Sequence, residues 1–412
     1  MPQISIIIPT RNRAHLLRYA LQSAVEQEGF TDYEVVVSDN SLEQTAAPVA
    51  EAWADHPRVR YVHTGADLDV YASWSFALRQ ARGEYSFLLA DDDSLLPNAL
   101  ATLSRAIRGY GQPDFVGVAS CWYSHPSRKA PPHNAVSFDH SWTGEGLRDP
   151  REMLKLFFSF GRPSFSPTYV MISRHVREAL EARGVDPYMP LYPDYAMMAC
   201  SLALSRTAAV LRTPTVLHGY AAESLGEHTF GRDRTESWEA LVGKKDLFER
   251  SPLEGYFFTN GWLETLMRVK AALPEATDGV NIHWLSCLDL FARDLFRDAL
   301  WRDVREEVRS FLGFIGAIEP GDRAKVLTTI SGTLKAIMRA VEVEAWNQEI
   351  GPEPKWLQGE QHGFDDILSA SREAERLFRM RERRSVLLDY ILNGDAGTPA
   401  EEQAPQALLS VR

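Results

Sequence analysis

Tyr85-Ser86-Phe87-Leu88-Leu89-Ala90-Asp91-Asp92-Asp93-Ser94-Leu95-Leu96-Pro97 runs an aromatic and aliphatic strand into three consecutive carboxylates, and a proline opens the next element. Buried strands rarely end in adjacent like charges, because repulsion and desolvation both oppose them. A hard divalent cation such as Mg²⁺ or Mn²⁺ would offset that repulsion through the carboxylate oxygens. The plain alternative is a solvated turn whose acids cap a helix starting near Pro97.

Upstream of this strand the chain alternates strand and helix. Gln3 to Ile8 is a β-rich run closed by Pro9, and His15 to Gln27 carries Leu16, Leu17, Ala20, Leu21, Ala24 and Val25 on one helical face. Tyr33 to Ser38 reads as a second strand ending at Asp39-Asn40-Ser41. Thr45 to Trp53 then reads as a helix, Val59 to Val62 as a third strand, and Ala72 to Ala81 as a helix broken at Gly83. The alternation predicts an α/β fold with an open, mostly parallel sheet sandwiched by helices. Ligands bind such sheets at the carboxyl ends of the strands, where Thr10, Asp39 and Asp91 to Asp93 all fall.

Farther on, Ser166 to Ser173 and Ala208 to Leu217 are strand candidates, and Asp194 to Leu204 is helical in pattern. Beyond Thr235 helical periodicity takes over, in Trp238 to Glu249, Tyr256 to Leu273, Ile282 to Phe314, Arg323 to Trp346 and Asp365 to Leu392, with a break at Gly351-Pro352-Glu353-Pro354. The expected division is therefore an α/β unit over 1–234, split near 110, a helical region over 235–393, and a disordered tail over 394–412.

The 412 residues are 45% hydrophobic and 24% charged, as in ordinary globular chains, and suffice for two domains. A formal net charge of -12 without a Lys/Arg block excludes a nucleic-acid partner. The three cysteines, Cys121, Cys200 and Cys287, form no metal or disulfide pattern, which suits reduced thiols in the cytoplasm. No signal peptide and no apolar run of transmembrane length is present, although peripheral contact with a membrane stays open.

A dinucleotide-binding fold also ends its second strand in an acid, but it needs a glycine-rich turn after strand one. That turn here is Pro9-Thr10-Arg11-Asn12-Arg13, with no glycine. Arg11 and Arg13 fit either guanidinium forks for phosphate or surface residues near a helix start.

Ile6 to Arg13 resembles the opening of the inverting family 2 glycosyltransferases, which have the GT-A fold. Glu34 to Ser41 is similar to that family's second strand, Ser73 to Leu78 with Ala81 to Tyr85 to the helix before its metal strand, and Phe87 to Pro97 to its DXD segment. These segments stand in the family's order and spacing across residues 6–97. The resemblance implies a nucleotide diphosphate sugar as donor, a UDP-sugar favoured, with Pro9, Thr10, Arg11, Arg13 and Asp39 around the nucleotide and Asp91 near the ribose. It further implies Mg²⁺ or Mn²⁺ on Asp92, with Asp93 as a second ligand or an orienting group. Two features depart from the pattern: Ala90 stands where the family's leading acid falls, and Val70 and Ser75 replace a Gly and an Asn often seen there.

The resemblance also implies a catalytic base at the start of a helix in the acceptor half, which Leu191 to Ala196 fits with Asp194 as the base. Pro193 replaces the Glu that precedes the family's Asp, and an ordinary helix cap is the alternative for Asp194. Asp186 and Glu223 are the next acids in line. His218, after a strand, and more weakly His228 are candidates to complete a metal shell; the alternative for each is a structural histidine. The implied reaction is sugar transfer with inversion to a carbohydrate or glycolipid acceptor hydroxyl, in bacterial cell-surface polysaccharide or glycolipid synthesis. Two rivals stand beside it. Nucleotidyl transfer shares the layered sheet but needs the missing glycine-rich loop. The other is a catalytically degenerate domain with the helical half as an interaction module. Arg372 to Arg384 fits anionic headgroups or, with Glu373, Glu375 and Glu382 among its arginines, a salt-bridged solvent face.

Overall fold

The computed structural model describes residues 1–128, 132–138, 144–224, 247–298, 305–342, 356–359 and 364–375. Strand β1 (Ile4–Thr10) lies at the centre of a parallel group with β2 (Tyr33–Asp39), β3 (Val59–His63) and β4 (Tyr85–Leu88), in the order β3-β2-β1-β4. All seven residues of β1 and of β2 are buried, as the unbroken apolar runs require of strands covered on both faces. Ile4, Ile6 and Ile8 point to one face and pack on Leu17 and Leu21 of α1 (Ala14–Val25) and Leu100 and Leu103 of α4 (Ala99–Gly109). Ile7 points to the other face, against Tyr71 and Leu78 of α3 (Val70–Arg79). Each such fully buried side chain contributes roughly 1.5–3 kcal/mol. Helix α2 (Ala47–Glu51) is shorter than the periodicity predicts. Pro9 is tolerated inside a central strand because β4 has already ended. Ile7 still accepts from the Leu89 N–H, but the register closes at Ile7 and Leu88, so the missing Pro9 N–H costs no ladder bond.

Past the acid run the sheet turns mixed. β5 (Ser94–Leu95) is followed by β6 (Phe115–Ser124), β7 (Ala135–Phe138), β8 (Gly146–Arg148), β9 (Val170–Ser173) and β10 (Ala208–Tyr220). β9 joins β4 to β6, both antiparallel, and β7 continues along the same flank of β6. β10 holds the other flank in parallel and pairs in turn with β5 and β8. Helices α5 (Pro150–Phe158), α6 (Arg174–Glu181) and α7 (Pro193–Leu204) cover this half. The architecture is thus the GT-A type expected, a mixed sheet with a parallel nucleotide half, followed by a largely helical region.

That helical region does not pack as a body apart. Helices α8 (Phe258–Ala272), α9 (Trp284–Asp298), α10 (Arg305–Gly316) and α11 (Pro320–Glu342) share one core with the sheet, running from Ile7 and Phe115 through Met198 to Phe291 and Ile330. Trp284–Asp298 and Arg305–Gly316 fall within and just past the expected Ile282 to Phe314 helix, and residues 299–304 between them lie outside the description. β11 (Trp356–Gln358) returns to pair antiparallel with β7, and a helix over 367–375 lays Ile367, Ala370 and Ala374 on Leu96, Tyr123 and Leu217. The Trp238 to Glu249 helix up to residue 246, His228, the Gly351–Pro354 break, most of Arg372 to Arg384 and the 394–412 tail lie outside the described residues. No helix among the described residues is long and apolar enough to cross a membrane.

Candidate active site

The parallel register sets Thr10 beside Asp39, and Asp39 beside His63, at the carboxyl ends of three neighbouring strands. The Asn40 N–H donates to the Thr10 carbonyl at 2.9 Å, which locks the two strand ends together. Asp39 is fully buried and holds the following loop: Oδ1 accepts from the Ser41 N–H (2.8 Å) and hydroxyl (2.6 Å), Oδ2 from the Ala46 N–H (3.1 Å) and the Tyr61 hydroxyl (2.9 Å). Four donors fill the acceptor positions of one carboxylate, so Asp39 shapes the crevice through this loop. Burial, then the hydrogen bond to Asp39, raises the Tyr61 hydroxyl well above its ordinary pKa and keeps it a donor. Arg11, by contrast, lies at the rim in an ion pair with Asp67 at 2.7 Å, both about half exposed.

The three acids of the run are spoken for separately. Asp91 is 0% exposed and accepts from the Thr10 hydroxyl at 2.6 Å and from Arg13 Nε at 3.1 Å, while the same guanidinium ion-pairs with its other oxygen. Arg13 also comes within 3.7 Å of Asp92. Asp92, 6% exposed, accepts from the Ser224 hydroxyl, and its carbonyl oxygen meets His125 Nε2 at 2.9 Å. Asp93, 1% exposed, accepts from Tyr169 OH and the Gly219 N–H, both at 2.8 Å, and from the Ala90 N–H at 3.3 Å. Gly219 makes this possible: a Cβ there would collide with the Asp92 carbonyl oxygen, so no other residue lets β10 lie so close. Burial pushes the Asp91 carboxyl up to about 6 despite Arg13, and raises Asp93 well above the carboxylate range with help from Asp92. Burial works against the Asp92 charge too, but Arg13 and Ser224 outweigh it and hold the group below its ordinary value. The repulsion that made this run conspicuous is offset in this structure by Arg13 and by the separate donors that each carboxylate accepts from.

Among the described residues no three His, Cys, Asp or Glu side chains are gathered to hold a metal by themselves. The donor set still fits Mg²⁺ or Mn²⁺ in its commonest mode, one carboxylate completed by substrate phosphates and water. Asp92 is the acid of the run that keeps some exposed surface, at 6%, whereas Asp93 has both oxygens engaged. His218 stacks on Tyr220 (4.9 Å) and meets the edge of Tyr169 (5.3 Å), and burial lowers it to about 4, so it stays neutral.

Asp194 lies in the first turn of α7, one residue beyond Pro193, and the capping position itself is Tyr192. Its Oδ2 accepts from the Thr168 hydroxyl at 2.9 Å and its Oδ1 from the Tyr195 N–H at 3.0 Å. Burial raises its carboxyl above the ordinary value, and those two hydrogen bonds pull the other way. Consecutive residues thus reach two acids: Thr168 holds Asp194 and Tyr169 holds Asp93. Of the fallback acids, Asp186 pairs with Arg79 at 2.7 Å, and Glu223 faces His15 at 3.7 Å.

Sequence reasoning missed Ser224, Tyr169, His125, Tyr61 and the pairing of Arg13 with the acids. Arg13 stood out beside Arg11 as a guanidinium fork for phosphate, and its pairing with the acids follows from β1 and β4 being neighbours, so that the segment after one meets the segment after the other. No basic residue adjoins the run along the sequence, and in space Arg13 does.

Residues 5–180 match the family described as glycosyl transferase family 2. The GalNAc(5)-diNAcBac-PP-undecaprenol beta-1,3-glucosyltransferase of Campylobacter jejuni is 38% identical over 113 residues, 27% of this chain, and the match spans 36% of that relative. An uncharacterized protein of Mycobacterium tuberculosis is 35% identical over 289 residues, 66% of this chain and 81% of the relative. The structure of S. aureus TarS 1-349 in complex with UDP-GlcNAc covers 91% of this chain and 92% of its own at 13% identity and a TM-score of 0.46, a likeness too loose to carry an argument. Through residues 5–180, and with its strand-end acids in the order described, the chain belongs to glycosyl transferase family 2.

Proposed function

We propose that the chain is an inverting glycosyltransferase that moves a sugar from a nucleotide diphosphate sugar, a UDP-sugar first among them, to an acceptor hydroxyl. The observation that carries the reading is the gathering of Thr10, Asp39 and Asp91 to Asp93 at adjoining strand ends. The Asp39 loop and Thr10 bound the base pocket, and Asp91 lies beneath the ribose position. Asp92 is the carboxylate for Mg²⁺ or Mn²⁺, which supplies charge stabilisation for the departing diphosphate when bound. Asp93 orients the run, and His218 lines its flank as a neutral ring. Asp194 removes the acceptor hydroxyl proton at its carboxylate, on the face opposite the leaving group. The acceptor is a carbohydrate or glycolipid of a bacterial cell surface, in keeping with the undecaprenol-linked substrate in the name of the Campylobacter relative. Three buried free cysteines accord with work in a reducing cytoplasm.

The test is a panel of UDP-, GDP- and dTDP-sugars assayed for Mn²⁺-dependent binding and slow hydrolysis. One donor should stand out, with hydrolysis lost in chelator. Formation of a nucleotide sugar from a sugar phosphate and a nucleoside triphosphate would instead make the chain a nucleotidyltransferase.

A further inference from the structure

Arg13 occupies the capping position of α1 without using its side chain for the cap. Its guanidinium reaches across to acids 78 residues away, setting Nε and one amino nitrogen on Asp91 and the other near Asp92. That second nitrogen also donates to the Glu223 carbonyl at 3.4 Å, and the neighbouring Ser224 hydroxyl holds Asp92. The Arg13 side chain is 23% exposed while Asp91 is wholly enclosed, so the guanidinium is the partner with room to leave. We propose that Arg13 is the resident cation of the donor site: it offsets the charge of Asp91 and Asp92 in the unloaded protein and gives up Asp92 to a divalent cation arriving with a nucleoside diphosphate.

The exchange balances in charge. Asp92 trades a guanidinium for a metal cation, and Arg13 trades a carboxylate for a diphosphate oxygen, which its planar fork suits equally well. A divalent cation alone meets carboxylates that already share a guanidinium and finds no new anion for Arg13, so it binds weakly. Nucleotide and metal therefore bind with positive coupling, each strengthening the other by the same factor. Ser224 is the second hold on Asp92 and links donor loading to the turn that ends β10, where its hydroxyl accepts from the Ala221 N–H at 2.7 Å.

This inference rests on the nucleotide-sugar reading for its second half only, and the experiment separates the two. Mn²⁺ alone, UDP alone and the two together are titrated against the full chain, with Mn²⁺ followed by its free electron-spin signal. The same is done for Arg13→Gln, Arg13→Lys and Ser224→Ala. Arg13→Gln should bind Mn²⁺ alone about tenfold more tightly than the parent, because the competing charge is gone. Arg13→Lys should stay near the parent, and Ser224→Ala should tighten Mn²⁺ by a smaller factor. The coupling between Mn²⁺ and UDP should fall toward one in Arg13→Gln. Equal or weaker Mn²⁺ binding by a folded Arg13→Gln overturns the proposal, and so does an unchanged coupling factor. If Arg13→Gln does not fold, Arg13→Lys and Ser224→Ala decide: tight Mn²⁺ binding by the lysine variant, or no gain in the serine variant, rejects it. Failure of the parent to bind UDP with or without Mn²⁺ would sink the donor assignment and leave the Arg13 effect on Mn²⁺ standing.

Discussion

Asp194 must be ionised to take a proton, yet its surroundings favour the neutral acid. Burial raises its carboxyl, and the Thr168 hydroxyl is the side-chain contact that opposes the rise. The acid limb of the transfer rate should therefore lie above the ordinary carboxylate range, and Thr168→Val should move it higher still. Linkage gives the matching stability trend. The folded chain holds this proton more tightly than the unfolded one, so stability falls as pH rises from the ordinary value through the raised one and then levels. Asp194→Asn removes that slope, leaves donor affinity nearly intact and lowers transfer by roughly 10²–10⁴-fold. A pH–rate series and a pH–melting series on the two variants check both halves. Normal transfer by Asp194→Asn would send the search for the base to Glu223. Asp39 makes a different residue-scale case, because four donors converge on it. Asp39→Ala orphans buried donors at about 1–3 kcal/mol each, so melting temperature and nucleotide affinity should drop together. Tyr61→Phe removes one donor and should spare both. Calorimetry showing an unchanged nucleotide affinity in Asp39→Ala would detach this loop from the site.

At the scale of elements, the strands that end in the site were legible, and so in outline were β9 and β10, but β6 and β11 were not. β1, β2 and β4 announced themselves because each is a short apolar run terminated by a polar or acidic residue, and parallel pairing then aligns those ends without further information. The helix at Asp194 was legible for a similar reason, with Pro193 fixing its first turn. β6 escaped notice although it carries ten residues, because Cys121, Trp122 and Tyr123 break any simple alternation and its buried serines read as loop. β11 could not be read at all: three residues become a strand only because β7 offers a free edge. Arg13 shows the same limit at finer grain, since a contact across 78 positions leaves no local trace. The short segment 364–375 has consequences out of proportion to its length. Phe364 packs on Tyr123, Tyr123 on His125, and His125 holds the Asp92 carbonyl, while the Ser371 hydroxyl donates to the Leu95 carbonyl at 3.0 Å. Phe364→Ala should cost about 3–5 kcal/mol as a buried aromatic truncation. It should also weaken donor binding more than Ile330→Ala, a truncation in the larger core that the helical region shares. Equal donor affinities in the two variants would show that the segment stabilises the molecule without bearing on the site.

For the whole molecule the question is whether the helical half is an appendage. Leu191 and Tyr192, which lead into the helix carrying Asp194, both donate through their N–H groups to Thr265 on α8 at 3.2 Å. Gly261 of the same helix lies so close under Tyr192 that a Cβ would fall 2.7 Å from its ring. Trp262 packs among Phe157, Phe160 and Tyr195, so the wall beside the expected base is built partly from the sheet half and partly from α8. A core shared this way has no internal surface along which one part can unfold and leave the other native. The full chain should therefore melt in a single transition over its sheet and helical halves together. A chain cut after residue 234 would expose the apolar faces of α5 and α7 that α8 covers. It should be insoluble or lack a cooperative transition, even though it contains every residue assigned to the donor. The decisive measurement is calorimetry of the full chain beside the 1–234 fragment, with donor binding on each. Two resolved transitions, or a fragment that folds and binds donor as tightly as the full chain, would make the helical half a separable module. Gly261→Ala offers a milder version within the intact chain. Its extra carbon presses on Tyr192 at the entrance to α7, so transfer should fall while donor affinity holds.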